Sequence, residues 1–223
     1  MAILARSLIE AAARELEDLA FLRWRVNALA QYVNDALRDA VTRRPDLFHT
    51  KEVLTLAQGV AQSLGSTGIK LVSVNKSIAS NRPVTLAPGA LLDAQDPTWR
   101  SKTPTTSVLH YIWDARSPAE FDVYPPAASG AQVEAEYIAA PPSITLTTGM
   151  GINDVTLSID LPAHIESALT AFVLHRAYSQ RNELADPNKA AAHLQRYTEL
   201  MGTDVQATLA VANGPAKNEP QSQ

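Results

Sequence analysis

The hydrophobic period of this chain changes twice, and that double change constrains its fold more than any single motif does. Over residues 1–50 apolar side chains recur at steps of three and four, the spacing of a helix that buries one face. Leu4, Leu8, Ala12, Leu16 and Leu19 make one stripe, with Arg6, Glu10, Arg14 and Glu17 on other faces. Val26, Leu29, Val33, Ala36 or Leu37, and Ala40 make a second. That second helix is predicted to end at Arg43-Arg44-Pro45. Two cations suit the negative end of the helix dipole, and proline cannot continue the backbone ladder.

From 51 to 160 the period shortens to two, and Pro, Gly, Ser and Thr become frequent. Strands are predicted at Glu52–Leu56, Gly68–Asn75, Ser107–Asp114, Glu120–Tyr124 and Gln132–Ile138. Both faces of the Val108–Trp113 run are apolar or aromatic, which places it inside a sheet. The Asp114–Pro118 turn cluster joins it to the next strand as a hairpin, and Pro125-Pro126 is read as the end of that strand. Val133, Ala135 and Tyr137 alternate with Glu134 and Glu136, a pattern with one face buried and one wet. Pro88 to Pro97 brackets a short helical piece with Leu91 and Leu92, and Ser63–Gly68 reads as a hairpin loop.

Helical spacing returns over 161–202, with Ile165, Leu169, Phe172 and Val173 as its stripe. Asp186-Pro187 restarts a last helix, Asp as N-cap and Pro at the first helical position, and Gly202 stops it. The fold class read from this order is α+β. The helices of 1–50 and 161–202 form one bundle, the region 51–160 is inserted as an antiparallel β-sandwich or barrel, and 203–223 is an extended C-terminal tail. Both helical ends are too short to be domains alone. The tail's last residues hold no core former, so it orders only against a partner.

Composition narrows function. With 46% hydrophobic and 19% charged residues the chain is globular, and 223 residues suffice for a real core. A net charge of −4 argues against coating nucleic acid, which calls for a basic surplus. Cysteine is absent, which excludes disulfides, thiol catalysis and Cys-based zinc sites and agrees with a cytoplasmic product. No signal-peptide pattern and no apolar run of about 20 residues is present, so no membrane role is expected.

Chemistry-bearing patterns are sparse. His49, His110, His164, His175 and His193 show no metal-ligand spacing. Asp93 and Asp96 read as turn caps beside Trp99, not as a catalytic pair. Gly149-Met-Gly151 opens no helix and reads as a turn. No Ser/His/Asp signature occurs, so no catalytic, metal or cofactor residues are assigned. Trp99, Tyr111, Trp113, Phe121 and Tyr124 form an aromatic set that a glycan- or peptide-binding module would expose. Acidic residues outnumber basic ones ten to seven over 51–160, and a sandwich core accounts better for most of these rings. Arg23, Trp24, Arg25, Arg38, Arg43 and Arg44 concentrate on the second helix, as a solvated face paired with Asp35, Asp39 and Asp46 or as a surface for self-association.

In order, Arg23-Trp24, Leu29, Val33-Asn34-Asp35-Ala36, Arg38 and Arg44-Pro45-Asp46 resemble the N-terminal helix pair of phage head-to-tail adaptor (connector) proteins of short-tailed and related tailed phages. Further pieces follow in the family's order: Leu92-Asp93, Pro97 and Trp99, then Val108, His110-Tyr111 and Asp114. After them come Phe121, Val123-Tyr124-Pro125-Pro126, Val133-Glu134 and Tyr137, then Val173-Leu174 and Arg176-Ala177-Tyr178-Ser179, and finally Ala190–His193 and Gly202. The resemblance covers most of residues 15–202. It departs at Gln31-Tyr32-Val33, where the family often has Tyr or Trp-Leu, and finds no counterpart for the Thr147–Val155 loop or the tail.

The resemblance implies a virion protein without catalysis or cofactor, found at the head–tail junction. Such a protein is a ring subunit, typically of a dodecamer, that binds copies of itself, the portal protein and a tail or nozzle protein. DNA passes through the lumen without sequence-specific contact. The six residues Arg23 to Arg44 named above are then candidates for the ring interface. The tail, through Val205, Leu209, Val211, Pro215 and Pro220, is a candidate for binding the portal or a neighbouring subunit. The rivals are the glycan- or peptide-binding module, which needs exposed Trp99 or Trp113, and a hydrolase, which needs a cluster of reactive groups.

Overall fold

The computed structural model describes residues 2–147, 149–180 and 183–202, so the tail residues Val205, Leu209, Val211, Pro215 and Pro220 lie outside the described residues. In chain order the elements begin with β1 (Ile3–Leu4), α1 (Ala5–Glu15) and α2 (Val26–Arg43). Next come β2 (His49–Thr55), β3 (Gly59–Ser63), β4 (Gly68–Ser77), β5 (Arg82–Pro83), β6 (Thr85–Leu86) and α3 (Gly89–Gln95). They are followed by β7 (His110–Trp113), β8 (Glu120–Ala127), β9 (Gln132–Ala139), β10 (Ser158–Ile159), α4 (Glu166–Tyr178) and α5 (Pro187–Met201). The class is α+β. The chain divides into two compact units, Met1–Leu47 with Pro142–Gln223, and Phe48–Pro141.

In the helical unit α4 is central, touching α1, α2 and α5. Its sequence explains this: Ala168, Leu169, Thr170, Ala171, Val173, Leu174 and Ala177 are buried almost all round the helix, as expected of one with partners on several sides. Leu8, Ile9, Leu29, Leu37, Ile165, Tyr197 and Met201 complete the core. The Leu8, Ala12, Leu16 stripe of the first helix is buried, but Leu4 and Leu19 at its ends are exposed because α1 spans only Ala5–Glu15. Asp186 caps α5, accepting the N–H groups of Asn188 and Lys189, with Pro187 first in the helix, and Gly202 follows at φ 67°.

Residues 142–160, read from the sequence as part of the β region, pack in the helical unit. β10 pairs antiparallel with β1, and Ile144 is bonded to Asn34 of α2. Their strand-like composition reflects extended segments laid over helices, which sequence periodicity does not separate from sheet.

The β unit holds two four-stranded sheets, ordered β2-β9-β4-β5 and β3-β8-β7-β6. Each has free edges, so neither closes into a barrel. Pairing is antiparallel except for the short β6–β7 contact and an isolated bridge. The two sheets share one hydrophobic cluster, including Leu71, Val74, Tyr137, Tyr111, Phe121 and Val123. β7 is interior and forms the expected hairpin with β8, and β9 is interior with Glu134 and Glu136 turned outward.

Two expectations fail here, and one strand has no counterpart among them. Pro125-Pro126 do not end their strand: β8 runs to Ala127, and the Pro126 carbonyl accepts the N–H of Thr105, so a residue without an N–H still serves the sheet as an acceptor. Ser63–Gly68 is not a hairpin loop, because β3 and β4 belong to different sheets. β3 itself went unread.

β4 is the most distorted strand. Its ten residues face seven of β9, with register shifts after Gly68, Leu71 and Val74. Each shift is a bulge that leaves one residue extra: Ile69, Val72 and Asn75. The buried positions Leu71, Val74 and Ser77 are therefore three apart, and exposed Ile69 and Val72 are bulge residues.

Candidate functional site

The six candidate interface residues lie in two places, and the structure separates them by role. The first is the loop between α1 and α2. Asp18, itself buried, accepts the backbone N–H groups of Leu22, Arg23 and Trp24 at 3.0, 2.8 and 2.8 Å. Burial alone raises its pKa, but the three donors and the Arg23 charge outweigh that and hold the carboxyl below its ordinary value. Glu17 and Phe21 both take φ of 54°, which closes the loop tightly around Asp18.

Trp24 is therefore part of the core of the helical unit. It is 5% exposed, and its ring meets Tyr178 edge-on at 6.5 Å. Its indole N–H is buried without a hydrogen-bond partner among the described residues. Arg23 and Arg25, on either side, point outward, and neither guanidinium makes a hydrogen bond or ion pair among the described residues. Beside them Leu19 and Leu22 are 67% and 81% exposed.

The second place is α2 and its C-terminal end, where the arginines are occupied within the unit. Arg38 donates to Asp35 at 3.1 Å, and Arg176 of α4 reaches the other Asp35 oxygen at 3.0 Å. Arg43 bonds Asp39 at 2.5 Å and lies over the Tyr197 ring. Tyr197 donates its hydroxyl to the same carboxylate, and its pKa is pushed up first by burial and then by that bond. Arg44 grips Asp46 through Nε and Nη2 and donates Nη1 to the Met201 carbonyl at 2.8 Å. A last-turn carbonyl of α5 is thus satisfied by a residue 157 positions away. The Arg44 bond holds the Asp46 carboxyl below its usual range.

Sequence reasoning missed the most buried polar residue of α2. The Asn34 side chain accepts the N–H of Ile144 at 2.8 Å and donates to its C=O at 2.9 Å, as a neighbouring strand would. The signal was present: an Asn on the apolar stripe of a helix, between Val33 and Leu37, requires a buried partner. The motif residues Trp24, Asn34, Asp35, Arg44, Asp46, Arg176 and Tyr178 thus hold the fold together.

In the β unit three of the five aromatic residues, Trp99, Tyr111 and Phe121, are buried. Trp99 has no exposed surface; its Nε1 donates to Asp93 at 2.8 Å, and Arg100 covers its ring at 4.3 Å. Trp113 is half-buried, with its indole N–H donated to Pro118. A ligand-stacking platform on Trp99 therefore does not exist, while Trp113 and Tyr124 keep part of their rings at the surface. Asp93 and Asp96 do not form a pair: the first binds Trp99 and Arg100, the second Thr98 and Lys102, and both carboxyls are held low by those cations.

A groove of about 780 Å³ follows edge strand β3. Leu54, Leu56, Ile112 and Phe121 give it apolar lining, and Asp114, Glu120 and Asp122 contribute carboxylates, with no Lys, Arg or His among its lining residues. Asp114 is neutralised by Arg116, whose bonds bring its pKa down to about 2. The Glu120 and Asp122 carboxylates make no hydrogen bond or ion pair among the described residues.

The histidines are dispersed. His110 bonds Thr85 and stacks on Tyr124, His175 contacts the Ala190 carbonyl, His193 stacks on Tyr178, and His49 lies 3.5 Å from Glu136. Among the described residues no group of three metal-ligating side chains is placed to hold an ion, and no helix is long and apolar enough to cross a membrane. No curated protein matches the chain. A family model described as SU10 adaptor protein, a phage head-to-tail adaptor family, matches residues 4–218. That span includes the 147–155 loop and continues past Gly202, segments for which the sequence motifs offered no counterpart.

Proposed function

The chain belongs to the SU10 adaptor protein family, and on that premise we propose that it is the ring subunit joining portal to tail at the head–tail junction of a tailed phage. As a phage adaptor it is a virion structural component that interacts with other virion components. The finer reading is ours. Copies assemble as a ring, a dodecamer in keeping with the family resemblance, whose lumen passes DNA without reading its sequence. The role is mechanical, with no reaction and no cofactor. The helices of the first unit form a bundle, and the two sheets of the second pack as an open sandwich over their shared core.

One observation carries this reading: the family match extends over residues 4–218, nearly all of the sequence. A slightly acidic chain also suits a passage that must let phosphates slide. The tail, with Val205, Leu209, Val211, Pro215 and Pro220, is proposed to lie along the portal or an adjacent subunit.

Native mass measurement of the full chain, with and without its cognate portal, tests the class. A ring, alone or on the portal, is the expected result, and a monomer in both conditions refutes it. Removing 203–223 is expected to leave the melting transition in place and to weaken portal docking; undiminished docking refutes the role given to the tail.

A further inference from the structure

We propose that the loop between α1 and α2 is a knob that docks into the β3 groove of a second copy of this chain. The inference rests on the ring reading above and says which two surfaces make the contact.

The knob is preformed. Asp18 ties three successive backbone N–H groups, and Trp24 anchors the loop in the core. A loop already held in one shape loses little conformational freedom when it docks. Its outward side carries the two most exposed large apolar side chains described in the chain, Leu22 and Leu19. Arg23 and Arg25 flank them with guanidinium groups that make no hydrogen bond or ion pair among the described residues. Every candidate arginine on α2 and at its C-terminal end, Arg38, Arg43 and Arg44, is by contrast paired within the unit.

The groove is the complement. It offers apolar lining for two leucines and the carboxylates of Glu120 and Asp122, which make no hydrogen bond or ion pair among the described residues, Asp122 feeling only the charge of Arg100. Two cations free of ion pairs beside an apolar knob thus match two anions free of ion pairs beside an apolar groove. Opposed charges of this kind steer association and fix register. The two surfaces differ, so the contact is heterologous and repeats from copy to copy, which closes a ring when the rotation between copies is right.

The chain has no cysteine, so introduced thiols report cleanly. Leu22→Cys and Ala61→Cys place single thiols on the exposed knob and on the exposed edge strand at the groove. The two full-length variants are mixed and treated with a bismaleimide linker. The expected product is the covalent heterodimer, in excess of either homodimer. Adding Arg23→Glu and Arg25→Glu to the knob variant should cut its yield about tenfold or more, the loss of close charge pairs. Glu120→Lys with Asp122→Lys in the groove variant should restore it. No heterodimer, a dominant Leu22→Cys homodimer, or a yield indifferent to charge reversal each overturns the proposal. Native mass of the charge-reversed chain with the portal separates the two readings: an intact ring there discards the knob and groove while the ring stands.

Discussion

The two units of this protein spend their polar side chains differently. In the helical unit Asp18, Asn34 and Arg44 each bond to backbone groups and fix where the chain runs. In the β unit the polar groups of the β2-β9-β4 face bond mainly to one another. Lys51 reaches Glu134 and Glu136, Lys76 reaches Glu134, and Asn75 reaches Glu136, all on the wet side of a sheet that backbone pairing already holds. A buried side chain that serves a backbone group has no substitute when removed, because water does not reach the group left behind. An exposed pair is replaced by water at little loss. Substitutions at Asp18, Asn34 and Arg44 should therefore be costly, and those on the wet face of β2-β9-β4 mild.

Removing the Trp24 side chain should break the helical unit hardest. Trp24→Ala empties a buried site against Tyr178 and should cost about 3 kcal/mol or more, read as a fall in the denaturation midpoint. Stability within error of the parent would refute its placement in the core. Next comes Asn34→Leu, similar in volume but unable to serve Ile144. It should cost about 2–3 kcal/mol and speed amide exchange at Ile144, whose N–H it no longer accepts.

Arg44→Ala should follow at about 1–2 kcal/mol, with exchange loosening in the last turn of α5, whose Met201 carbonyl loses its donor. Asp18 gives a pH test. Its folded pKa lies below the ordinary 3.8, so its stabilisation is complete above that value and disappears as pH falls through the lower folded value. Asp18→Asn should flatten the acid limb of the stability profile; an unchanged limb would locate the acid sensitivity elsewhere. At the bottom of the order, Glu134→Gln in the β unit should leave the midpoint nearly where it was, since its partners Lys51 and Lys76 sit in solvent. A loss rivalling that of Asn34→Leu would erase the contrast between the units.

Much of this organisation was legible in the sequence, where one residue stands for one physical rule. The stripe from Val26 to Ala40, the Arg43-Arg44-Pro45 stop, the Asp186-Pro187 start and the alternation from Val133 to Tyr137 each carry a local signal that the fold keeps. What escaped depends on partners far along the chain. Trp24 reads as an interface candidate because nothing nearby announces Tyr178, and the bond from Arg44 to the Met201 carbonyl escapes because Met201 is distant in sequence. The unit boundary after Pro141 escaped because residues 142–160 are extended without belonging to a large sheet. The β3 edge was missed because Gly59–Ser63 is short and carries the polar Gln62 in its middle. That side chain is folded back onto Ala57 and Gly59, a contact no spacing rule anticipates.

The three bulges of β4 alter what a change in chain length does. In a regular strand, deleting one residue turns every later side chain over and brings polar groups into the core. Here Val72 has no opposite number on β9, so losing it shortens the strand by the one residue its partner never matched. Leu71, Val74 and Ser77 keep their facing. A frame that tolerates removal at such a point but not one step away, at Leu71, turns the spare residue into an adjustable joint, a place where the sheet's curvature can be retuned without rebuilding its interior.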